Sequence, residues 1–449
     1  MRLPFGKFGR LVGLDSQVLP TLLLRGWQVI AGGVMVLLIP LWLNKVEQGF
    51  YYTFSSLLAL QIFFELGMNQ VILQLVSHDF AHVSLSKSLA LKGDAIRIDR
   101  LSALVMLLRH WYGVASSSFF VVVSACGLWF FATKGDLPIT VWSGAWLLMT
   151  LGTAANLYLS ASLTVLEGCG EIAGVARMRM AQSMYGSCLM WVALAMGAGL
   201  WAMPLVPLVG ALYTGYWLHT HGSMIKRLRR HAQCNVLKTD INWRVDIFPL
   251  QWRIAISWIS GYFIFQLFTP LAFARLGAIE AGRLGITMTV FSALLTVGMS
   301  WVNAKLPAFA AHVSRGERER LNVLFNSVVK RSMTFTFFAM LVIIGAMWAL
   351  LSLNNDSIQR FASLPVVFCL AVVTLSNCFI FAAAAYMRAH KEEPMMWVSV
   401  VVGVATLAAA GIGSQYGAFT MMALYALVNI FVALPWTLLI FMRYYRRTE

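Results

Sequence analysis

Charge is scarce in this chain, and acid is scarcest: 12% of the 449 residues are charged, with 18 acidic against 34 basic. Soluble domains carry about 25% charge. Here 59% of residues are hydrophobic and the mean hydropathy is +0.74. That shortage excludes water-soluble enzyme folds, the apolar surplus excludes a disordered scaffold, and long non-alternating runs exclude a barrel. Cysteine is scarce too. Cys126, Cys169, Cys188, Cys234, Cys369 and Cys378 show no C-x-x-C spacing and lie mostly in apolar runs, which makes them small packing residues rather than disulfide partners or metal ligands. A cleavable leader is missing as well. The basic Arg2, Lys7 and Arg10 precede an apolar run that is too long for a signal peptide and has no A-x-A site, so the first helix is expected to stay in the membrane.

What the chain does have is apolar runs of bilayer length. They fall near 19–43, 50–77, 110–132, 141–167, 180–202, 204–220, 250–272, 283–306, 330–353, 361–386, 395–414 and 417–442. An all-α integral membrane protein of about 12 transmembrane helices follows. The fifth and sixth runs are separated only around Ala202 to Pro207, a boundary that rests on Pro204 and Pro207.

Basic residues set the expected orientation. Alternate connections, beginning with the N-terminus, hold most of the Lys and Arg, among them Lys87, Lys92, Arg97, Arg100, Lys226, Arg227, Arg229, Arg230, Arg315, Arg318, Arg320, Arg443, Arg446 and Arg447. The opposite connections hold few: Lys45, Lys134, Arg275, Arg283 and Arg360. Both termini are therefore expected in the cytoplasm, and the net charge of +16 reflects topology rather than a nucleic-acid partner. The histidines, from His78 and His82 to His390, lie near the same basic ends and read as solvated rather than metal-binding. External connections such as Asn44 to Gly49, Thr133 to Pro138 and Ser414 to Tyr416 are too short for a catalytic domain. The connections Ser77 to Arg109 and His221 to Pro249 mix apolar with basic residues and read as amphipathic segments on anionic lipid.

The long central connection divides the chain into an N-lobe, 1–225, a basic linker, 226–248, and a C-lobe, 249–449, each lobe with six helices. Phe54-Ser-Ser-Leu-Leu in span 2 recurs as Phe291-Ser-Ala-Leu-Leu in span 8, in keeping with a parallel repeat.

Polar side chains inside spans are costly and point to pathways. Arg25, with Gln28 one turn on and Gly32 and Gly33 beyond, gives span 1 a polar or small face. It is either a cavity cation that receives an anionic head group or an arginine snorkelling to the surface. Arg253 in span 7 is placed alike, nearer the interface. Gln61, Glu65 and Asn69 recur every four residues in span 2 and so share a helical face. Glu65, the deep acid, reads either as a coupling group or as a structural partner to a buried arginine or an interhelical hydrogen bond. Span 8 carries Thr289, Ser292, Thr296, Ser300 and Asn303, and span 4 carries Thr153, Asn156, Ser160, Thr164 and Glu167. Such stripes line hydrated cavities or join helices.

There is no G-x-x-x-x-G-K-[ST], G-x-S-x-G or H-E-x-x-H motif, so neither nucleotide hydrolysis nor these hydrolase chemistries are expected on this chain. Secondary transport remains, and no cofactor or metal is expected. Three stretches then carry a resemblance: Glu47-Gln-Gly-Phe-Tyr-Tyr-Thr-Phe-Ser-Ser-Leu-Leu with Phe64-Glu-Leu-Gly-Met68; Pro249-Leu-Gln-Trp-Arg-Ile-Ala-Ile-Ser-Trp-Ile-Ser-Gly-Tyr262; and Glu280-Ala-Gly-Arg-Leu-Gly with Trp301-Val-Asn-Ala-Lys-Leu-Pro307. Over nearly its whole length the chain resembles the O-antigen type polysaccharide flippases of the multidrug, oligosaccharidyl-lipid and polysaccharide (MOP) exporter superfamily. Where many relatives have Asp before Leu-Gly, this chain has Glu65.

That resemblance implies two pseudo-symmetric six-helix lobes in a V, alternating access, and a polyprenyl-diphosphate-linked oligosaccharide of O-antigen, lipopolysaccharide or related surface polysaccharide as substrate. It implies Arg25 and Arg253 as diphosphate-binding cations, Glu65 as a coupling group, and a bacterial inner membrane location. Trp27 and Tyr262 would stack on sugars if they face inward. Expected partners are the lipid-linked glycan, the bilayer and other membrane proteins of polysaccharide assembly, with no nucleic acid. A multidrug or cation-coupled exporter of the same superfamily is the runner-up, and a glycan polymerase or ligase is disfavoured by the short external loops.

Overall fold

The computed structural model describes residues 18–80, 83–85, 91–234, 242–353, 356–390 and 394–446. Arg2, Lys7, Arg10, His82, Lys87 and Arg447 lie outside the described residues. The chain runs α1 (Val18–Trp42), α2 (Lys45–Leu58), α3 (Ile62–Glu65), α4 (Met68–Phe80), β1 (Val83–Leu85), β2 (Leu91–Gly93), α5 (Ala95–Lys134), α6 (Ile139–Gly168), α7 (Ile172–Ala195), α8 (Leu205–His221) and α9 (Ser223–Cys234). It continues through α10 (Phe248–Phe265), α11 (Phe268–Leu276), α12 (Ala278–Gly298), α13 (Ser300–Ser314), α14 (Arg318–Ser352), α15 (Leu364–Ala389), α16 (Met396–Gly413), α17 (Ala418–Val428) and α18 (Leu434–Arg446).

The architecture is all-α, with one small antiparallel hairpin that the sequence did not announce, pairing Val83 with Gly93. Eight helical stretches among the described residues are long and apolar enough to cross a membrane. Two bent pairs, Lys45–Glu65 with Met68–Phe80 (47°) and Trp243–Phe265 with Phe268–Leu276 (42°), bring the number to ten. The remaining expected crossings are α7, whose early turns carry Arg177 and Arg179, and α8, which is 17 residues long. This is a multi-pass membrane protein.

Several boundaries differ from the sequence reading. The break between the fifth and sixth spans starts after Ala195, with Gly197 and Gly199 at positive φ, and ends at Pro204, the N-cap of α8, whereas Pro207 sits inside α8 rather than breaking it. The third span reaches back to Ala95, so part of the supposed interfacial loop is helix. Ile98, Leu101, Leu104, Val105 and Leu108 are buried at helical spacing among charged neighbours, which is why a hydropathy average misses them.

The chain divides into two compact units, one formed by 18–31, 60–132 and 137–255, the other by 32–59, 133–136 and 256–446. In the first, α6 packs against α4 and α8, and α7 against α8. The span 4 stripe joins these helices: Asn156 Nδ2 donates to the Pro207 carbonyl at 2.7 Å, and Arg179 pairs with Glu167 at 2.9 Å. Asp79 holds Arg97 (3.2 Å) and Arg100 (3.4 Å), and Arg100 reaches Asp246 at 3.2 Å. His231 meets Asp99 at 2.7 Å.

In the second unit, α2 starts with a capping box: Asn44 Oδ1 accepts from the Glu47 N–H at 2.8 Å, and Glu47 Oε2 accepts from the Asn44 N–H at 2.9 Å. Glu47-Gln-Gly is thus also a helix-start signal. α2 crosses α12 closely, because Gly49 leaves room for the Ala278 backbone and Gly282 leaves room for that of Gly49. Gln48, 1% exposed, donates to the Gly282 and Arg360 carbonyls, both at 3.0 Å. Arg360 donates to the Leu43 carbonyl at 2.8 Å, and Arg283 to the Gln359 carbonyl at 2.8 Å. At the other end of this unit, Phe325, Tyr386 and Phe441 form an aromatic cluster with centroids 5.0 to 5.3 Å apart.

Candidate functional site

The second span breaks where its carboxylate sits. α3 ends at Glu65, and Leu66 follows at φ 52, the one non-glycine residue at positive φ among the described residues. Gly67 at φ 67 completes the break, and a Cβ there would lie 2.4 Å from Ile254 Cγ2. Placing leucine in the left-handed region costs about 1–2 kcal/mol, and the surrounding packing must hold it. Discontinuous helices inside the membrane expose backbone groups and mark transporter sites.

Glu65, 9% exposed, faces the Asn69 side chain and backbone N–H across this break. The four-residue spacing therefore brings the two together through a turn, not along one uninterrupted helical face. Asn69 in turn gathers three helices. Its Oδ1 accepts from the Tyr112 hydroxyl of α5 at 2.8 Å and from Thr164 Oγ1 of α6 at 3.0 Å, while its Nδ2 donates to Ser160 Oγ at 3.4 Å. The result is a buried carboxyl at a kink, beside an amide whose partners are all fixed. Such a group can hold or release a proton, or bind a small cation, without solvent competition. Tyr112, fully buried, was missed in the sequence because it follows Arg109-His110-Trp111 at the edge of a run, where nothing marks a partner for its hydroxyl.

The other sequence candidates are not part of this cluster. Arg25 and Gln28 are exposed on α1, and Arg25 has no ion-pair partner among the described residues. Arg253 is exposed on α10, its guanidinium 5.6 Å from the Trp252 ring centroid. Gln61 is half-buried. In the second unit Ser292, Thr296 and Ser300 are exposed and Asn303 half-buried, with Thr296 Oγ1 donating back to the Ser292 carbonyl at 2.9 Å. Lys305, exposed on α13, is a further cation that the sequence reading passed over, although it lies within the Trp301 to Pro307 stretch. Tyr262 is 6% exposed, so its ring offers no face to a sugar, and Trp27 packs on Trp191 at 5.9 Å. Gln251, 3% exposed, has an Nε2 with no hydrogen-bond partner among the described residues. Among the described residues no group of three or more His, Cys, Asp or Glu side chains could hold a metal ion.

No family model matches the chain, and no curated protein matches it. Solved structures do. An inward-facing multidrug resistance transporter of the MATE family, MOP superfamily, aligns with TM-score 0.56 and 13% identity, covering 93% of this chain and 99% of that one. A MOP superfamily transporter from Pyrococcus furiosus, described as having a binding pocket of reversed polarity, aligns with TM-score 0.57 and 15% identity, covering 96% of each. The lipid II flippase MurJ in an inward closed conformation aligns with TM-score 0.58 and 10% identity, covering 94% of this chain and 86% of that one. At these identities the likeness is one of fold: this chain has the helical fold of MOP superfamily transporters.

Proposed function

We propose that the protein is a flippase that moves a polyprenyl-diphosphate-linked oligosaccharide, of O-antigen or related surface polysaccharide type, across the bacterial inner membrane by alternating access. The observation that carries this reading is Arg25, an exposed arginine without an ion-pair partner among the described residues, set in an apolar membrane helix of a chain with this fold. A guanidinium stays charged in low dielectric and matches a diphosphate with a planar fork of donors. Arg253 is the second cation of the reading, and the lobes are those of the sequence, 1–225 and 249–449, with both termini cytoplasmic. The diphosphate pairs with the arginines, the glycan meets Gln28, Ser292, Thr296, Ser300 and Asn303, and the polyprenyl tail stays in lipid. Glu65 at the kink of span 2 couples the cycle to a cation or proton.

In cells deleted for this gene, Arg25→Ala is expected to lose surface glycan by at least about tenfold, since charge-assisted contacts of about 1.5–3 kcal/mol are removed. Arg25→Lys should restore part of it at equal membrane abundance. Wild-type glycan levels with both variants would make Arg25 a snorkelling anchor and remove the diphosphate site. The buried Glu65 carboxyl suits a cation-coupled drug exporter as well. Unchanged drug susceptibility on deletion, with loss of glycan, separates the two.

A further inference from the structure

A cavity lies in the first unit, lined by residues other than those of the Glu65 cluster. It measures about 390 Å³ and is framed by the end of α6, the start of α7, the end of α8 and the start of α9, with Glu171, Arg177, Tyr213, Trp217, His221 and Arg227 on its wall. Leu166, Met178 and Met224, all buried, supply apolar lining.

The charges in this wall are not matched by the protein. Arg179, two residues beyond Arg177, pairs with Glu167 at 2.9 Å, yet neither Arg177 nor Arg227 has an ion-pair partner among the described residues. Glu171, the carboxylate among the described lining residues, pairs with neither. Arg177 and Arg227 against Glu171 leave a net charge of plus one, which a single phosphodiester neutralises.

The surroundings say where such a ligand comes from. α9 buries Met224, Ile225 and Leu228 against the protein and turns Lys226 and Arg230 outward, a basic surface of the kind that meets anionic head groups. Trp217 stacks flat on His221, centroids 5.2 Å apart and planes within 11°, giving the wall an aromatic slab of the kind found at head-group level. On the next face of α8, Leu212 and Tyr216, one turn apart, are 74% and 67% exposed and offer an apolar track for a hydrocarbon chain.

We propose that this cavity binds the phosphate ester of a membrane phospholipid, with Arg177 and Arg227 holding the phosphate and the acyl chains running along α8. The proposal does not depend on what the protein carries.

The test uses the purified full chain in detergent with dioleoylphosphatidylglycerol, read by native mass spectrometry, and with soluble glycerol 3-phosphate as the second arm. Wild type is expected to retain one tightly held lipid. R177A/R227A should weaken it by at least about tenfold, R177K/R227K should keep part of it, and R443A/R446A, which removes equal charge elsewhere, should keep all of it. If R177A/R227A fails to fold, R177Q/R227Q carries the same expectation, with melting temperature confirming a folded chain. Undiminished lipid in the cavity variants, or equal loss in R443A/R446A, would overturn the site. Displacement of the lipid by equimolar glycerol 3-phosphate would overturn the assignment to a membrane lipid and identify a soluble phosphate ester instead.

Discussion

Gly49→Ala is expected to cost the protein about 3 kcal/mol or more, seen as a large fall in apparent melting temperature or as loss of monodisperse protein in detergent. A methyl group at this position would lie 1.9 Å from the Ala278 carbonyl oxygen and 2.6 Å from its carbon, so backbone rather than a side-chain tip must move. The crossing cannot simply widen. Gly282 would place its own Cβ 2.8 Å from the Gly49 nitrogen, and Gln48, adjacent in sequence, is tied to the Gly282 and Arg360 carbonyls. Separating α2 from α12 therefore strains buried hydrogen bonds as well as packing. Gly26→Ala is the matched control. Among the described residues no atom beyond its own helix backbone lies within 4 Å of its added methyl, and removing a helical glycine should stabilise by up to about 1 kcal/mol. A Gly49→Ala protein that melts with wild type would mean that the α2–α12 crossing is not as close as described.

At the kink, Glu65→Gln and Asn69→Ala are expected to separate function from structure. Glutamine keeps the size of Glu65 and its ability to meet the Asn69 amide but cannot titrate or carry charge. Folding should be retained, while transport should fall at least about tenfold if the carboxyl couples the cycle. Asn69→Ala does the reverse. It strips the acceptor from the Tyr112 hydroxyl, 0% exposed, at about 1–3 kcal/mol for a buried donor left unpaired, while Thr164 keeps the Ser160 carbonyl at 3.1 Å. Its melting temperature should drop clearly below that of Glu65→Gln. Transport at wild-type rate in Glu65→Gln would make the carboxyl a structural partner of Asn69 and no more.

The apolar runs gave the helices because a bilayer demands runs of that length and little else. They did not give the breaks. A run such as Phe50 to Ser77 stays apolar through Leu66 and Gly67, and hydropathy has no term for a left-handed leucine held by packing. Gly67 was the available signal. Between the fifth and sixth spans Pro204 stands at the N-cap of α8, as expected, but the chain already turns at Gly197 and Gly199, and Pro207, early in α8, costs no hydrogen bond and breaks nothing. Within the site, the spacing of Glu65 and Asn69 was legible, and so were the hydroxyls of span 4. What those hydroxyls do was not, because Ser160 and Thr164 find Asn69 91 and 95 residues away. Tyr112 illustrates the same limit, since a tyrosine at the edge of an apolar run looks like packing until its hydroxyl has a partner.

The proposed movement of a lipid-linked glycan can be followed directly. The direct measurement reconstitutes the purified chain in liposomes containing a fluorescent polyprenyl-diphosphate-linked oligosaccharide placed in the outer leaflet, then quenches with membrane-impermeant dithionite. A protected fraction that grows with time is expected in wild-type vesicles, and one that stays at the protein-free level with Arg25→Ala. Wild-type vesicles with no more protection than empty ones, in a preparation whose folding and coupling gradient are confirmed, would contradict it.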